Sequence, residues 1–466
     1  MRCIVPVALA LTALLSGCAP SATVASPTRP PGVALTPQWD TYHLDATRSG
    51  DDTGEPSFLH LHGAWTAGPL DGALYAEPLL DGDNVIVATE DDSVYDFDAV
   101  SGRQLWRVTL GTPRTSNFPC GDIKPLGITG TPVIDGGSLY VLAEVEDTPG
   151  VYRFHLAKLK PSNGTTLYNR DVTPRGMDVN AEQERSALGV SDGNVIITWG
   201  GLDGDCGSYH GYLETVSESS GVEVAQWNDT ERDNQGGMWA PSGPAVDAAG
   251  NIYVTTGNGS TSDIKQYDDG DSVLEFSPSL SLMSFFAPGP PAAWPALNAA
   301  DLDLGSVGPA LLPNGLLFAI GKGGRGYLLK QSGLPGNSNP GGGDSANAPV
   351  CATSGGGAFS GMAASGDTVF VPCAGGVTAV KIDSAQSFHM EWHSTSGSSA
   401  PIIAGGLVWT LSLFGGRALY GLNPSTGSVA VTLTLPSTSA HFATPSSGGG
   451  RLFVGAGDLL VAFASE

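Results

Sequence analysis

The sequence predicts an all-β fold: an eight-bladed β-propeller of four-stranded antiparallel blades, closed by an N-terminal strand in the last blade. Three observations predict it: a recurring turn-and-strand unit, a composition rich in Gly and Pro, and chain ends that complement each other. The unit opens on a small residue or Pro, an apolar pair and a Gly, Asp or Asn turn, as in Ala76-Glu77-Pro78-Leu79-Leu80-Asp81-Gly82. It returns at Gly130–Gly136, around Leu188, at Gly243–Val246 and at Gly308–Leu311, then around Met362, at Ala400–Ile403 and at Ala443–Pro445. These eight copies lie roughly 40 to 65 residues apart, a period that belongs to blade and solenoid architectures.

Within each unit the elements follow in order. The apolar pair starts the first strand, and a second run follows, such as Asn84–Ala88 or Asn251–Thr255. A third alternates apolar and polar residues, as in Ser93–Asp98 and Ala418–Leu422. A Ser-Gly or Thr-Gly turn (Ser101-Gly102, Ser220-Gly221, Thr426-Gly427) then leads into a fourth strand carrying Trp106, Trp227 or Trp392. Period-two alternation bounded by glycine turns is a strand signature, and four strands repeated eight times describe propeller blades. The 65 Gly and 33 Pro among 41% hydrophobic residues suit many short strands joined by tight turns. The last unit has only three strands and ends at Leu459–Phe463, whereas a spare fourth strand with Trp65, His62–Thr66, precedes the first. Pairing the two closes the ring and covers an edge that would otherwise stay open. Gly333 to Pro349 shows no fourth strand for unit five and is expected to be a long loop.

Residues 1–17 read as a signal peptide: Arg2 supplies the positive charge and Ile4–Leu15 an apolar stretch too short to span a bilayer. Leu15-Ser16-Gly17-Cys18 resembles the bacterial lipobox, which implies lipidation of Cys18 and an extracytoplasmic protein anchored to the cell membrane. Residues 18–37, the lipidated Cys and a Pro- and Ser-rich stretch, form a tether, and residues 38–466 form the propeller domain. The net charge of −25 with 21 Lys plus Arg excludes sequence-independent nucleic-acid binding, which relies on cations.

Cys3 leaves with the signal and Cys18 takes lipid, so Cys120, Cys206, Cys351 and Cys373 remain. Outside the cytoplasm these are expected as two disulfides, with three connectivities open. The favoured pairs are Cys351–Cys373, clamping one blade, and Cys120–Cys206, tying two neighbouring loops. No C-x-x-C or Cys/His pair at ligand spacing supports zinc instead.

The blade grammar resembles the pyrroloquinoline-quinone (PQQ) repeat family over nearly all of Trp39 to Glu466. That family includes quinoprotein alcohol dehydrogenases and the non-enzymatic barrel-assembly lipoproteins of outer membranes, so the fold alone does not select a function. The dehydrogenase members imply PQQ and calcium as cofactors. Gly237-Met238-Trp239 resembles the segment whose Trp239 would floor the quinone. Thr256-Gly257-Asn258 resembles the motif whose Asn258 would bind calcium, a cation that prefers oxygen ligands. Asp301-Leu302-Asp303 resembles the acidic pair that supplies the catalytic base, and Lys322, in Gly321-Lys322-Gly323-Gly324, the quinone contact. Each has a plainer reading: a packing tryptophan, a strand-ending turn, turn-forming aspartates and a solvated lysine.

The departures lie elsewhere. Cys120 stands where dehydrogenases often carry two adjacent cysteines over the quinone, and Leu126 falls about where an Arg is expected. The calcium-binding Glu would fall near Asp205, a shorter carboxylate. No C-x-x-C-H haem motif is present. The departures favour a cell-surface binding or scaffold lipoprotein with a central quinone-type pocket and protein or small-molecule partners. The alternative is a PQQ- and calcium-dependent dehydrogenase oxidising an alcohol or sugar.

Overall fold

Alternation becomes strand at every repeat. The computed structural model describes residues 39–290, 293–336, 346–351 and 356–465. Blade one runs through Leu79–Asp81, Asn84–Ala88, Ser93–Asp98 and Gln104–Thr109, each strand antiparallel to the one before. The middle strands are buried throughout apart from their end residues, while the fourth alternates between exposed and half-buried positions. Seven further sheets repeat this order, which makes eight blades. Their first strands begin at Val133, Gly189, Ala245, Ala310, Ala363, Ile402 and Ser446.

The ring closes as the chain ends require. His62–Ala67 pairs antiparallel with Leu459–Ala464, placing Trp65 opposite Ala462 and Ala67 opposite Leu460. The fourth-strand tryptophans join neighbouring blades. Trp65 Nε1 donates to Ala99 O (3.1 Å), Trp106 Nε1 to Pro161 O (2.7 Å) and Trp392 Nε1 to Pro424 O (2.8 Å). Each indole lies on the glycine of the next blade's outer turn. At Gly102, in the left-handed region at φ 69°, a Cβ would stand 2.5 Å from the Trp65 ring, so Ser-Gly and Thr-Gly turns and outer tryptophans form one docking device. A half-buried indole stabilises its interface by about 2 kcal/mol.

Three features depart from the sequence reading. The expected long loop at Gly333–Pro349 contains the missing strand: Ala346–Pro349 pairs with Arg325–Leu328 and completes blade five. Cys120–Cys206 ties two loops as expected, but Cys351–Cys373 does not clamp one blade. It joins Cys351, two residues past blade five's fourth strand, to the end of blade six's second strand.

The third is a thread through the axis. Trp39 and Leu80 exchange backbone hydrogen bonds in blade one, and Asp40 O accepts from Ile134 N in blade two. Arg48 Nη2 donates to Leu188 O at the entry to blade three, and Ala46 O accepts from Val246 N in blade four. Ser49 O and Gly50 O accept from Ala364 N and Ile403 N in blades six and seven, and Asp52 Oδ2 from Ser447 Oγ in blade eight. Asp51–Asp52 also runs parallel to Ile403–Ala404. The expected signal peptide, Cys18 anchor and tether lie outside the described residues.

Candidate functional site

Two sets of loops meet at one end of the axis: links entering the first strands, and turns between second and third strands. Together they enclose a cavity of about 480 Å³, within the range of small-molecule sites.

Trp239 comes from the link into blade four. Met238 N donates to Trp199 O (2.9 Å), Gly237 N to Asp229 Oδ2 (3.1 Å) and Gly257 N to Gly237 O (2.8 Å). Gly257 must be glycine, because a Cβ there would stand 2.6 Å from Gly236 O and 2.8 Å from Asp303 Oδ1. Burial holds the Asp229 carboxyl well above its ordinary value, although bonds from Gly211 N and Gly237 N oppose the shift.

Asp303 precedes a single 3₁₀ turn, Leu304–Ser306, in the link into blade five. Its Oδ1 accepts from Asn258 N (2.6 Å) and its Oδ2 faces Lys322 Nζ (2.5 Å). Asp271 Oδ1 fixes the same link by accepting from Leu304 N (2.8 Å). Lys322 also meets Asp301 Oδ1 (2.7 Å) and lies 5.5 Å from the centroid of the Trp239 ring. Burial raises the Asp303 carboxyl, with the Lys322 ammonium opposing the rise. Burial also pulls Lys322 down, but the two aspartates outweigh it and hold the ammonium above the usual lysine value. Lys322 is therefore a charged group with two of its three N–H donors on aspartates.

Across the cavity, Asp205 Oδ1 accepts from Tyr209 Oη (2.7 Å) on the turn Gly201–Tyr209 of blade three. The Cys120–Cys206 disulfide ties this turn to the link carrying Asp122, and Gly121 N donates to Asp203 O (2.9 Å).

Of the residues singled out by sequence, Trp239, Asp301, Asp303, Lys322 and Asp205 line this one cavity. Asn258 is buried, and its backbone N–H is the group that reaches Asp303. Cys120 stands behind Gly204 rather than in the wall: a Cβ built on that glycine would lie 3.4 Å from the Cys120 Cβ.

Sequence reasoning missed Arg185, His441 and Phe442. The cavity gets its guanidinium from Arg185 in the link into blade three. Arg185 is 8% exposed, lies 5.0 Å from the Phe442 ring centroid, 3.8 Å from Asp122 and 3.1 Å from His441 Nε2. Burial, then the neighbouring Arg185 charge, push His441 down to about 4, so its imidazole is neutral at pH 7. The charged run Glu182-Gln183-Glu184-Arg185 ahead of an inner strand was the available signal.

The chain has structural relatives among known proteins. It is similar to the quinohemoprotein alcohol dehydrogenase from Comamonas testosteroni, with a TM-score of 0.69 at 16% identity, over 93% of this chain and 81% of that one. The chain shares the fold of the PQQ-like β-propellers. It is also similar to a europium-containing methanol dehydrogenase (TM-score 0.65, 14% identity, 92% of this chain and 98% of that one). BamB from Moraxella catarrhalis follows at TM-score 0.57 and 12% identity, over 87% of this chain and 98% of that one. A family model described as outer membrane protein assembly factor BamB matches residues 62–271. Among curated proteins the sequence has no match.

PQQ and calcium are the cofactors that the dehydrogenase fold implies. The Trp239 face suits a flat conjugated ring. The charges do not suit PQQ, a polycarboxylate. Asp122, Asp203, Asp205, Asp301 and Asp303 line the cavity against Arg185 and Lys322, a formal balance of 2 − 5 = −3 with His441 neutral. Among the described residues no three His, Cys, Asp or Glu side chains are grouped to hold a metal ion. The acidic wall opposes PQQ's carboxylates, while the Trp239 face favours its ring.

Proposed function

We propose that this propeller is an exported, lipid-anchored binding module that receives a small ligand in its axial cavity at the cell surface. The leader with Arg2 and Ile4–Leu15, and the lipobox-like run ending at Cys18, support export and anchoring. One observation carries the binding reading: Lys322 is held by Asp301 and Asp303 together, inside a wall of net negative charge. The two aspartates take two of the three Lys322 N–H donors, and the wall repels carboxylates.

The dehydrogenase reading has its own support, the convergence of Trp239, Asp303 and Lys322 in one cavity. The two part in a single assay. Purified protein given PQQ, calcium and a panel of alcohols and sugars should reduce no dye above the protein-free control. Alcohol-dependent reduction that disappears in Asp303→Ala would replace this reading with the enzymatic one. For the anchor, Cys18→Ala should move the protein from the membrane to the soluble fraction, and unchanged membrane retention would contradict lipidation.

A further inference from the structure

We infer that the ligand of the axial cavity is an organic cation with an aromatic or alkyl body, an inference that rests on the binding reading above. The wall already holds two cations of its own, both by the same chemistry. Lys322 lies near the Trp239 ring with Asp301 and Asp303 beside it, and Arg185 lies near the Phe442 ring with Asp122 beside it. An aromatic face and a carboxylate together attract a cation through the ring quadrupole and through charge.

Two further carboxylates have no ion-pair partner, although Arg185 feels the Asp203 charge at longer range. Asp203 and Asp205 line the cavity from blade three, and neither forms an ion pair among the described residues. Asp205 uses one oxygen for the Tyr209 hydroxyl, which leaves its negative charge unmatched. Phe414 lines the cavity from the corresponding turn of blade seven, across the ring, and is 77% exposed. A large apolar side chain left that open at a cavity mouth costs solvation unless something covers it. A cationic head toward blade three with an apolar body against Phe414 satisfies both sides of the mouth. A neutral polyol leaves the unmatched charge, and an anion adds to it.

The test uses phenyltrimethylammonium as probe, with benzyl alcohol, benzoate and glucose as neutral and anionic comparisons, on the full-length protein by calorimetry. The cation should bind saturably, at least tenfold more tightly than benzyl alcohol or benzoate, and should weaken as salt rises because charge attraction is screened. Asp203→Asn with Asp205→Asn should weaken it at least tenfold, and Phe414→Ala about threefold, with an unchanged thermal midpoint in both variants because these side chains are exposed. The inference is overturned if the cation fails to bind, if benzoate binds as well, or if the double Asn variant binds the cation unchanged. Glucose binding without cation binding would sink the ligand class yet keep the binding module, whereas tight PQQ binding would sink both.

Discussion

The two ends of the axial channel are built from the same eight inner strands and finished in opposite ways. At one end the thread Trp39–Asp52 donates and accepts hydrogen bonds around the ring and ties seven blades to one segment. Arg48, 2% exposed, donates to the carbonyls of Pro244, Leu188 and Tyr42, and His43 N donates to Glu77 Oε2 (2.7 Å). Burial pushes His43 down to about 3, so its ring is neutral there. At the other end the loops leave a cavity with unmatched carboxylates and an uncovered Phe414. Buried hydrogen bonds that join one segment to seven blades hold the ring together, so the sealed end reads as stability. The open end, with groups left unsatisfied, reads as recognition.

The largest effect should come from breaking the sealed end. Arg48→Ala leaves three buried carbonyls without this donor, and Glu77 without a facing charge, and should cost about 3–5 kcal/mol. Urea unfolding measures it; a loss under about 1 kcal/mol would mean the thread is not a structural seal.

Next in size is a pH effect from the wall behind the cavity. Burial pushes Glu90 up to about 7, Glu144 to about 8 and Asp92 to about 9, against the single buried Arg114–Glu144 pair at 3.1 Å. These folded-state values lie above the unfolded ones, so the native state holds more protons between about pH 4 and 9. Stability is therefore full below about pH 4 and falls as pH rises through 7 to 9. The unfolding free energy should drop by at least about 2 kcal/mol between pH 5 and pH 9. Glu90→Gln, which keeps an acceptor for Gly127 N, should flatten that slope. A stability that rises with pH over this range would contradict the assignment.

A smaller change sharpens the open end. Gly257→Ala inserts a methyl group between Gly236 O and Asp303 Oδ1, and such crowding costs about 1–3 kcal/mol. It should also displace Asp303 and Lys322 and weaken cavity binding, while leaving the Arg48 network intact. Wild-type affinity in that variant would show that the Asp303 corner does not shape the site.

The sealed and open ends also differ in how far the sequence revealed them. The ring was legible because its signals are local: apolar pairs, Ser-Gly or Thr-Gly turns and outer tryptophans recur within each unit, and the structure joins them as Trp–Gly docking. Both disulfides were legible from four remaining cysteines. Ala346–Pro349 was not, since small residues and a Pro lack alternation and depend on the ladder offered by Arg325–Leu328. The thread Trp39–Asp52 carries no periodic signal either, because its partners are spread over seven blades. Arg185, His441 and Phe442 become neighbours only when blades three and eight meet at the axis.

The cavity's discrimination by charge is the claim on which the functional account stands. Its most direct measurement is the amount of quinone retained after incubation with excess PQQ and calcium followed by gel filtration. The account predicts protein free of quinone absorbance. One quinone carried per chain, lost in Trp239→Ala, would contradict it.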